Sequence, residues 1–524
     1  MKLKYLFLSL AACLALGATA QEANVYASGL KATQVEGNKY NISFVLNAPA
    51  TAVDLLIGDQ TFNLGAGVKG VNNVEVTLDG VTGENLNWSL KATGEPNTSD
   101  VPIKVEDKST NENLDFYYAR SIAIDNDVES PYFGRIYVAE SGHSASSRTS
   151  NGLYVFNAAF EDFTEQGNEP YAGNAGFEAS SASPQRVFVA KDALYLCDWS
   201  DSHPGVWKAD PADLTKDFTP IFGGENYNNT GLLVNRAGGD SIAIAGSIVS
   251  IWVEGEGENT VLYTFDEDYV GPAGFNKTLL QYNIGNAENP WVQAPSAVVF
   301  DNTEHLEQNG STMIIPDANG WWISQYRWSE APELPALIHY NTSTNAVDFN
   351  SAIAGEDGGK LIDNSQIGGL AINEEGTLLA VANNDGIKVF EMGETSDGAP
   401  LLTPKYAFLH GMANNRVWGL AFDVAGNLYQ ANDQSAGLAI FAMPTDDNSY
   451  TTPAPADQAI TVAGEVPGMP GDSNGDGQVD ISDVNAVINM MLGKVEMISL
   501  CDMNGDGKID ISDVNAVINT MLGK

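Results

Sequence analysis

Gly369-Leu370-Ala371-Ile372-Asn373-Glu374-Glu375-Gly376-Thr377-Leu378-Leu379 returns later in the chain as Gly419-Leu420-Ala421-Phe422-Asp423-Val424-Ala425-Gly426-Asn427-Leu428-Tyr429. Each copy is two short apolar runs joined by turn residues, and each is followed by a third run. Those third runs are Gly386-Ile387-Lys388-Val389-Phe390 and Gly437-Leu438-Ala439-Ile440-Phe441. Short runs of β-branched and aromatic residues between Gly and Asx read as strands. The same triplet opens the region as Ser121 to Asp125, Gly134 to Ala139 and Gly152 to Phe156. It recurs as Arg186 to Ala190, Ala193 to Trp199 and Gly205 to Lys208. Looser versions lie around Asp240 to Trp252 with Leu279 to Ile284, and around Ala297 to Asp301 with Met313 to Trp322.

Strand triplets repeating at roughly 40 to 60 residues are the trace of radial sheets, because a blade cannot bury its faces alone and must stack around a central channel. Residues 109–445 resemble NHL-type and related β-propellers, although no signature dipeptide marks the blades. Six blades are predicted, with seven as the main alternative and a pair of β-sandwiches as the competing fold.

Residues 21–108 read as short alternating strands, including Tyr40 to Leu46, Ala52 to Ile57, Asn73 to Leu78 and Leu86 to Leu90. Their size suits a β-sandwich. The stretch from Tyr40 to Ile57 resembles the immunoglobulin-like modules of bacterial surface proteins, which implies a spacer or attachment role. Residues 446–469, with Thr451-Thr452-Pro453-Ala454-Pro455-Ala456, read as a Pro-rich linker. The fold class expected is therefore mainly β, ending in a small α-helical module over residues 470–524.

That module is a duplication. Gly471 to Lys494 and Cys501 to Lys524 differ only at Gly471/Cys501, Ser473/Met503, Gln478/Lys508, Val479/Ile509 and Met490/Thr520. Hard cations such as Ca²⁺ take six to eight oxygens, and an acidic loop with a sharp turn supplies them. Asp472, Asn474, Asp476, Asp480 and Asp483 offer side-chain oxygens in the first loop, Gln478 its carbonyl, and Gly477 the turn. The second set is Asp502, Asn504, Asp506, Asp510 and Asp513, with the Lys508 carbonyl and Gly507. Two Ca²⁺ ions are expected. After each loop, Val484, Val487, Ile488, Met491 and Leu492, and likewise Val514, Val517, Ile518, Met521 and Leu522, fall at helical spacing before Gly493 and Gly523. No amphipathic helix enters either loop, and the last ligand is Asp rather than Glu.

Duplicated loop–helix segments of this kind resemble the type I dockerin, the cohesin-binding module of cellulosomal enzymes. The resemblance implies a cohesin-like partner and a polysaccharide-degradation setting. It also implies that Ile481-Ser482 and Ile511-Ser512 face that partner, and the internal symmetry then allows binding in two orientations.

Met1 to Ala20 carries the marks of a secretory signal peptide. Lys2 and Lys4 precede an apolar run, and Ala18-Thr19-Ala20 is a small-residue cleavage site. Leu10-Ala11-Ala12-Cys13 resembles a lipoprotein box, but the apolar run continues past Cys13, so lipid anchoring is disfavoured. Export to the periplasm, surface or medium of a bacterium is expected, and no later run is long enough to span a bilayer. The formal net charge of −43 opposes nucleic acid and anionic membranes. Only Cys197 and Cys501 remain beyond the signal, in different predicted domains, so no disulfide framework is expected.

Catalytic signatures are sparse. His143, His203, His305, His339 and His410 show no metal-ligand spacing, and no Gly-x-Ser-x-Gly elbow, Walker loop or zincin motif is present. Glycoside hydrolysis needs only two carboxyls, which separate blades can supply. Asp198, Asp317, Asp385 and Asp433 lie at predicted strand ends, where a turn-forming role is the simpler reading. Trp321, Trp322, Tyr326 and Trp328 cluster; the first two suit core packing, and Tyr326 and Trp328 are candidate ligand-stacking residues. The expected function is a secreted, non-catalytic propeller that binds a glycan or surface polymer and docks through its tail. A glycoside hydrolase or polysaccharide lyase, or a purely structural surface protein, are the alternatives.

Overall fold

The computed structural model describes residues 21–142, 148–167, 169–177, 183–198, 205–221, 232–234, 241–243, 248–266, 277–286, 295–301, 305–306, 313–325, 334–362, 368–383, 386–408, 417–432, 437–462, 471–474, 477–494, 501–503 and 508–523. Most strand triplets gain a fourth, outer member. Residues 119–156 form a three-stranded antiparallel sheet, and residues 186–220, 248–301, 313–350 and 370–408 form four-stranded ones. The last sheet takes three strands from residues 417–442, and its outermost strand is Ile103–Asp107. The first strands of these sheets are Ala119–Ile124, Arg186–Val189, Ile248–Glu254, Met313–Pro316, Leu370–Ile372 and Val417–Phe422. Each lies beside the next in that order, and the last returns to the first, so the sheets close a ring.

The seam of that ring is a strand from the N-terminal side. Ile103–Asp107 pairs antiparallel with Leu438–Ala442, Ala439 opposite Asp107 and Ala442 opposite Ile103. Closure removes the free edges that an open array would expose. Residues 103–107 thus belong to the ring, although sequence pattern assigns them to the N-terminal domain. Ala297–Asp301, grouped by pattern with Met313 to Trp322, is instead the outer strand of the preceding sheet.

Sheets stacked in a ring have both faces covered, so their middle strands are apolar throughout. Gly320–Ser324 is buried at every residue. Adjacent tryptophans on a strand point to opposite faces, and here each face meets a neighbouring sheet. Trp321 packs on Tyr263 with ring centroids 4.7 Å apart, and Trp322 on Phe349 at 5.2 Å. Neither is exposed, in keeping with the core packing expected of both.

Residues 27–93 form two facing sheets. One holds Ala27–Glu36, Lys39–Leu46 and Gly70–Thr77; the other holds Ala50–Ile57, Gln60–Gly67 and Trp88–Thr93. Alternate residues of Lys39–Leu46 are buried, so Tyr40, Ile42, Phe44 and Leu46 meet Val53, Leu55 and Leu90 across the core. The strand Ser449–Pro453 then pairs with Trp88–Thr93 on the edge of the second sheet. Ile460–Val462 pairs with Gly83–Leu86 and sends Ile460 and Val462 into the same core. Segment 446–469 thus contributes two strands to the sandwich, which corrects the linker reading; its residues 463–469 lie outside the described residues. Its prolines misled because an edge strand tolerates Pro where a central strand does not. Polar pins hold the returning segment: the Trp88 indole donates to the Gln458 carbonyl (2.7 Å) and the Tyr40 hydroxyl to the Thr461 carbonyl (2.5 Å).

The sandwich rests on the ring. Asn24 N donates to Asn427 Oδ1 at 2.7 Å, and Asn427 Nδ2 donates to the Asn24 carbonyl at 2.8 Å. Tyr26 packs edge-on against Phe133 at 5.9 Å, beside Val424 and Ala425.

Two helices, Ile481–Met491 and Ile511–Met521, form the C-terminal module. Val484, Val487, Met490, Cys501, Val514 and Val517 make its core. Met491 and Leu492, expected inside, are 39% and 57% exposed, and Met490 takes the inward position. Among the described residues no helix is long and apolar enough to cross a membrane.

Candidate functional site

The ends of the loops are built around two buried carboxylates. Asp480 caps the first helix and Asp483 completes a capping box with it; Asp510 and Asp513 do the same for the second helix. Asp483 Oδ1 accepts from Asn474 N at 3.0 Å and its Oδ2 from Asp480 N at 2.8 Å. Asp513 likewise receives Asp510 N, at 2.9 Å, and takes its loop N–H from Met503 at 2.8 Å, one position earlier than in the first copy. Asp483 and Asp513 are fully buried and Asp472 nearly so. A carboxylate oxygen has more than one lone pair, so each bonded oxygen still has one to offer a cation.

Gly477 has φ of +82° and donates its N–H to Asp472 Oδ2 at 2.8 Å, which folds the loop back on its first carboxylate. The Ser482 N–H and hydroxyl both hydrogen-bond Asp480 Oδ1, and they hold the Asp480 carboxyl below its usual pKa. Ser512 does the same for Asp510. This donor set, with buried carboxylates that an ion would neutralise, fits Ca²⁺. Asp476, Asn504 and Asp506 lie outside the described residues.

The positions that the resemblance turns towards a partner are open to solvent. Ile481 is 63% and Ile511 61% exposed. Residues eleven apart on a helix nearly eclipse after three turns, so Ile481 shares a face with Leu492, and Ile511 with Leu522. Each helix thereby presents an apolar strip next to its loop.

In the ring, the residue that sequence reasoning passed over is His339. Its fully buried ring makes Nδ1···Oδ1 contact with Asp348 at 2.6 Å and Nε2···Oδ1 contact with Asp317 at 3.2 Å. Asp317 Oδ2 accepts the Trp322 indole N–H at 2.8 Å, and its Oδ1 accepts Asn319 N and Gly320 N. Asp317 thus ties a turn to two strands, which is the turn-forming role expected of it. The usable signal was a strand-end Asp followed by a strand carrying His, not a metal spacing.

Other perturbed carboxyls also hold local structure. Burial pushes Asp423 up to about 7, and Asn427 and Tyr429 bind it. Burial likewise raises Asp125 to about 6, with the Ser130 hydroxyl on its Oδ2 at 2.6 Å. Asp198 is fully buried and accepts the Ser183 hydroxyl at 2.5 Å. Asp385, Asp433, Tyr326, Trp328, His143, His203 and His410 lie outside the described residues.

The sequence pattern of the dockerin type I domain matches residues 470–522. Such domains bind calcium and dock to cohesin-type partners, typically outside the cell or at its surface. No match was found among curated protein sequences. The β-rich fold has propeller-like neighbours among solved structures. A structural genomics protein of unknown function from Bacteroides thetaiotaomicron is 11% identical with a TM-score of 0.38, covering 79% of this chain and 98% of that one. The WD40 β-propeller domain of Doa1 is 9% identical with a TM-score of 0.33, covering 68% and 88%. Kuenenia stuttgartiensis hydrazine synthase is 10% identical with a TM-score of 0.35, covering 63% and 84%.

Proposed function

We propose that the chain is a secreted docking protein whose C-terminal module, holding two calcium ions, fixes it to a cohesin-type partner. In this reading Asp472, Asn474, Asp476, Asp480, Asp483 and the Gln478 carbonyl bind one ion, and Asp502, Asn504, Asp506, Asp510, Asp513 and the Lys508 carbonyl the other. The ring is a six-bladed propeller that presents a glycan- or polymer-binding body, and the immunoglobulin-like sandwich is its support. The observation that carries the reading is the duplication itself: the same buried Asp and capping box, with the same exposed Ile, occur twice. Calcium neutralises the clustered carboxylates and so couples loop order to partner binding.

The test is capture of the full chain on an immobilised type I cohesin, with calcium and with EDTA. Ile481→Asp or Ile511→Asp alone should leave binding through the other copy, whereas the double variant should bind at least ~tenfold more weakly. Capture that survives EDTA, or a double variant that binds like the parent, would overturn the proposal.

A further inference from the structure

The pairing of inner with middle strands picks out one equivalent residue in every sheet of the ring. Ala123 lies opposite Tyr137, Phe188 opposite Tyr195, Trp252 opposite Tyr263, Ile315 opposite Trp322, Ile372 opposite Leu379 and Ala421 opposite Tyr429. These six inner-strand residues are all half-buried, whereas the residue before each of them is buried. They form one layer around the central channel, and every one of them lines a cavity of about 330 Å³ there.

The layer is uneven. Phe188 and Trp252, on adjacent sheets, meet edge-on with ring centroids 4.8 Å apart. Ile315 and Ile372 continue the wall, and Ala421 and Ala123 complete it with a single methyl each. Ala421 stands three sheets from Trp252 and so across the ring from it. Small closed β-structures fill their interior with side chains; here the two alanines leave that space open.

The rest of the lining offers little to a polar or charged guest. Ser250 Oγ accepts Ile314 N at 3.3 Å, the Asn126 amide donates to the Phe422 carbonyl at 2.8 Å, and Asn373 Oδ1 accepts Thr377 N and Leu378 N. Arg186 is the one ionisable residue of the wall among the described residues. Its guanidinium bonds to the carbonyls of Val249, Arg120 and Trp418, away from the cavity, since none of those three lines it. Size then limits the guest. A cavity of about 150 Å³ walled by Leu, Ile and Phe stays dry and takes benzene, so one of about 330 Å³ has room for two fused rings. That volume lies near the bottom of the range of roughly 300 to 1,000 Å³ for ligand sites and suits a small molecule rather than a chain.

We propose that the central channel binds a neutral two-ring aromatic molecule, packed against Phe188 and Trp252 in the space left by Ala421 and Ala123. Burial of its apolar surface provides the affinity, and the aromatic pair provides the preference for a ring. The site is separate from the calcium module, from its partner and from the glycan-binding surface proposed above.

The test titrates the full chain with indole by calorimetry, using benzene as the one-ring control and excess glucose as a polar competitor, with and without EDTA. Indole should saturate one site per chain, at least ~tenfold more tightly than benzene, which leaves about half of the volume unfilled. Neither glucose nor EDTA should change that affinity. Ala421→Phe fills the space from the side opposite Trp252 and should abolish indole binding. Phe188→Leu keeps the wall apolar and should weaken binding about two- to tenfold; it decides alone should the first variant not fold. No saturable indole binding to the unaltered chain, equal affinity for indole and benzene, displacement by glucose, loss in EDTA, or undiminished binding by either folded variant would each overturn the assignment.

Discussion

Asp317→Asn isolates the charge in the buried network around His339. Burial alone would raise the Asp317 carboxyl, but the bond to His339 and the N–H groups of Asn319 and Gly320 prevail and hold it at about 2, against an ordinary 3.8. The side chain is only 23% exposed, so solvent screening is limited. Linkage converts that fall into roughly 2 kcal/mol of stability. For a depressed carboxyl the contribution is full above the unfolded value of 3.8 and is lost as pH falls through about 2. His339 has the opposite sign. Burial works against its charge, yet Asp317 and Asp348 raise its pKa above 6.5. Its contribution is therefore full below pH 6.5 and is lost as pH rises through the folded value. The variant should be about 2 kcal/mol less stable at pH 5.5, with about half of that deficit left at pH 3. Its alkaline limb should also be flatter, since one of the two groups raising His339 is gone. The assay is urea unfolding followed by tryptophan fluorescence at several pH values, in EDTA to remove the calcium contribution. Equal midpoints at pH 5.5, or a deficit that does not shrink towards pH 2.5, would refute the ion-pair account.

Chelation should melt the C-terminal helices while the ring transition, followed by the same fluorescence, stays in place; Asp483→Ala should reproduce this at the first loop and cost about 1 kcal/mol more through the lost cap. Val105, half-buried in the closing strand, packs against the core between the last and first sheets. Val105→Asp should destabilise the ring by about 2 kcal/mol or more and increase its proteolysis, because it puts a charge into that seam. Ending the chain after residue 446 removes Ser449–Pro453 and Ile460–Val462; limited proteolysis should then cut within residues 27–93 while sparing the ring. Asn427→Ala removes both bonds to Asn24 and the side-chain bond to Asp423, leaving only the backbone N–H on Asp423 Oδ1, and should cost about 1–3 kcal/mol in thermal unfolding.

Legibility followed burial. Inner and middle strands, such as Leu194–Asp198 and Leu438–Ala442, are covered on both faces and show as unbroken apolar runs. Outer strands are covered on one face at most. Pro400–Phe408 buries only Leu402, so its pattern is that of a loop, and this outer strand escapes notice. Ile103–Asp107 buries none of its residues fully, and its partner lies more than three hundred residues away, beyond the reach of local periodicity. The loops proposed to hold calcium are readable for a different reason: the spacing of their oxygen-bearing residues is local, and duplication displays it twice. The His339 network joins Asp317, Trp322 and Asp348 through a fold, so only the strands that carry them could be foreseen.

The return of Ser449–Pro453 to Trp88–Thr93 sets a load path. The ring is a long excursion between two halves of one sandwich, and its entrance and exit, Ile103–Asp107 and Leu438–Ala442, are hydrogen-bonded neighbours. Tension applied at the C-terminal module is delivered first to Ile460–Val462 and Ser449–Pro453, and passes from there into the sandwich. The ring is spared until those strands yield.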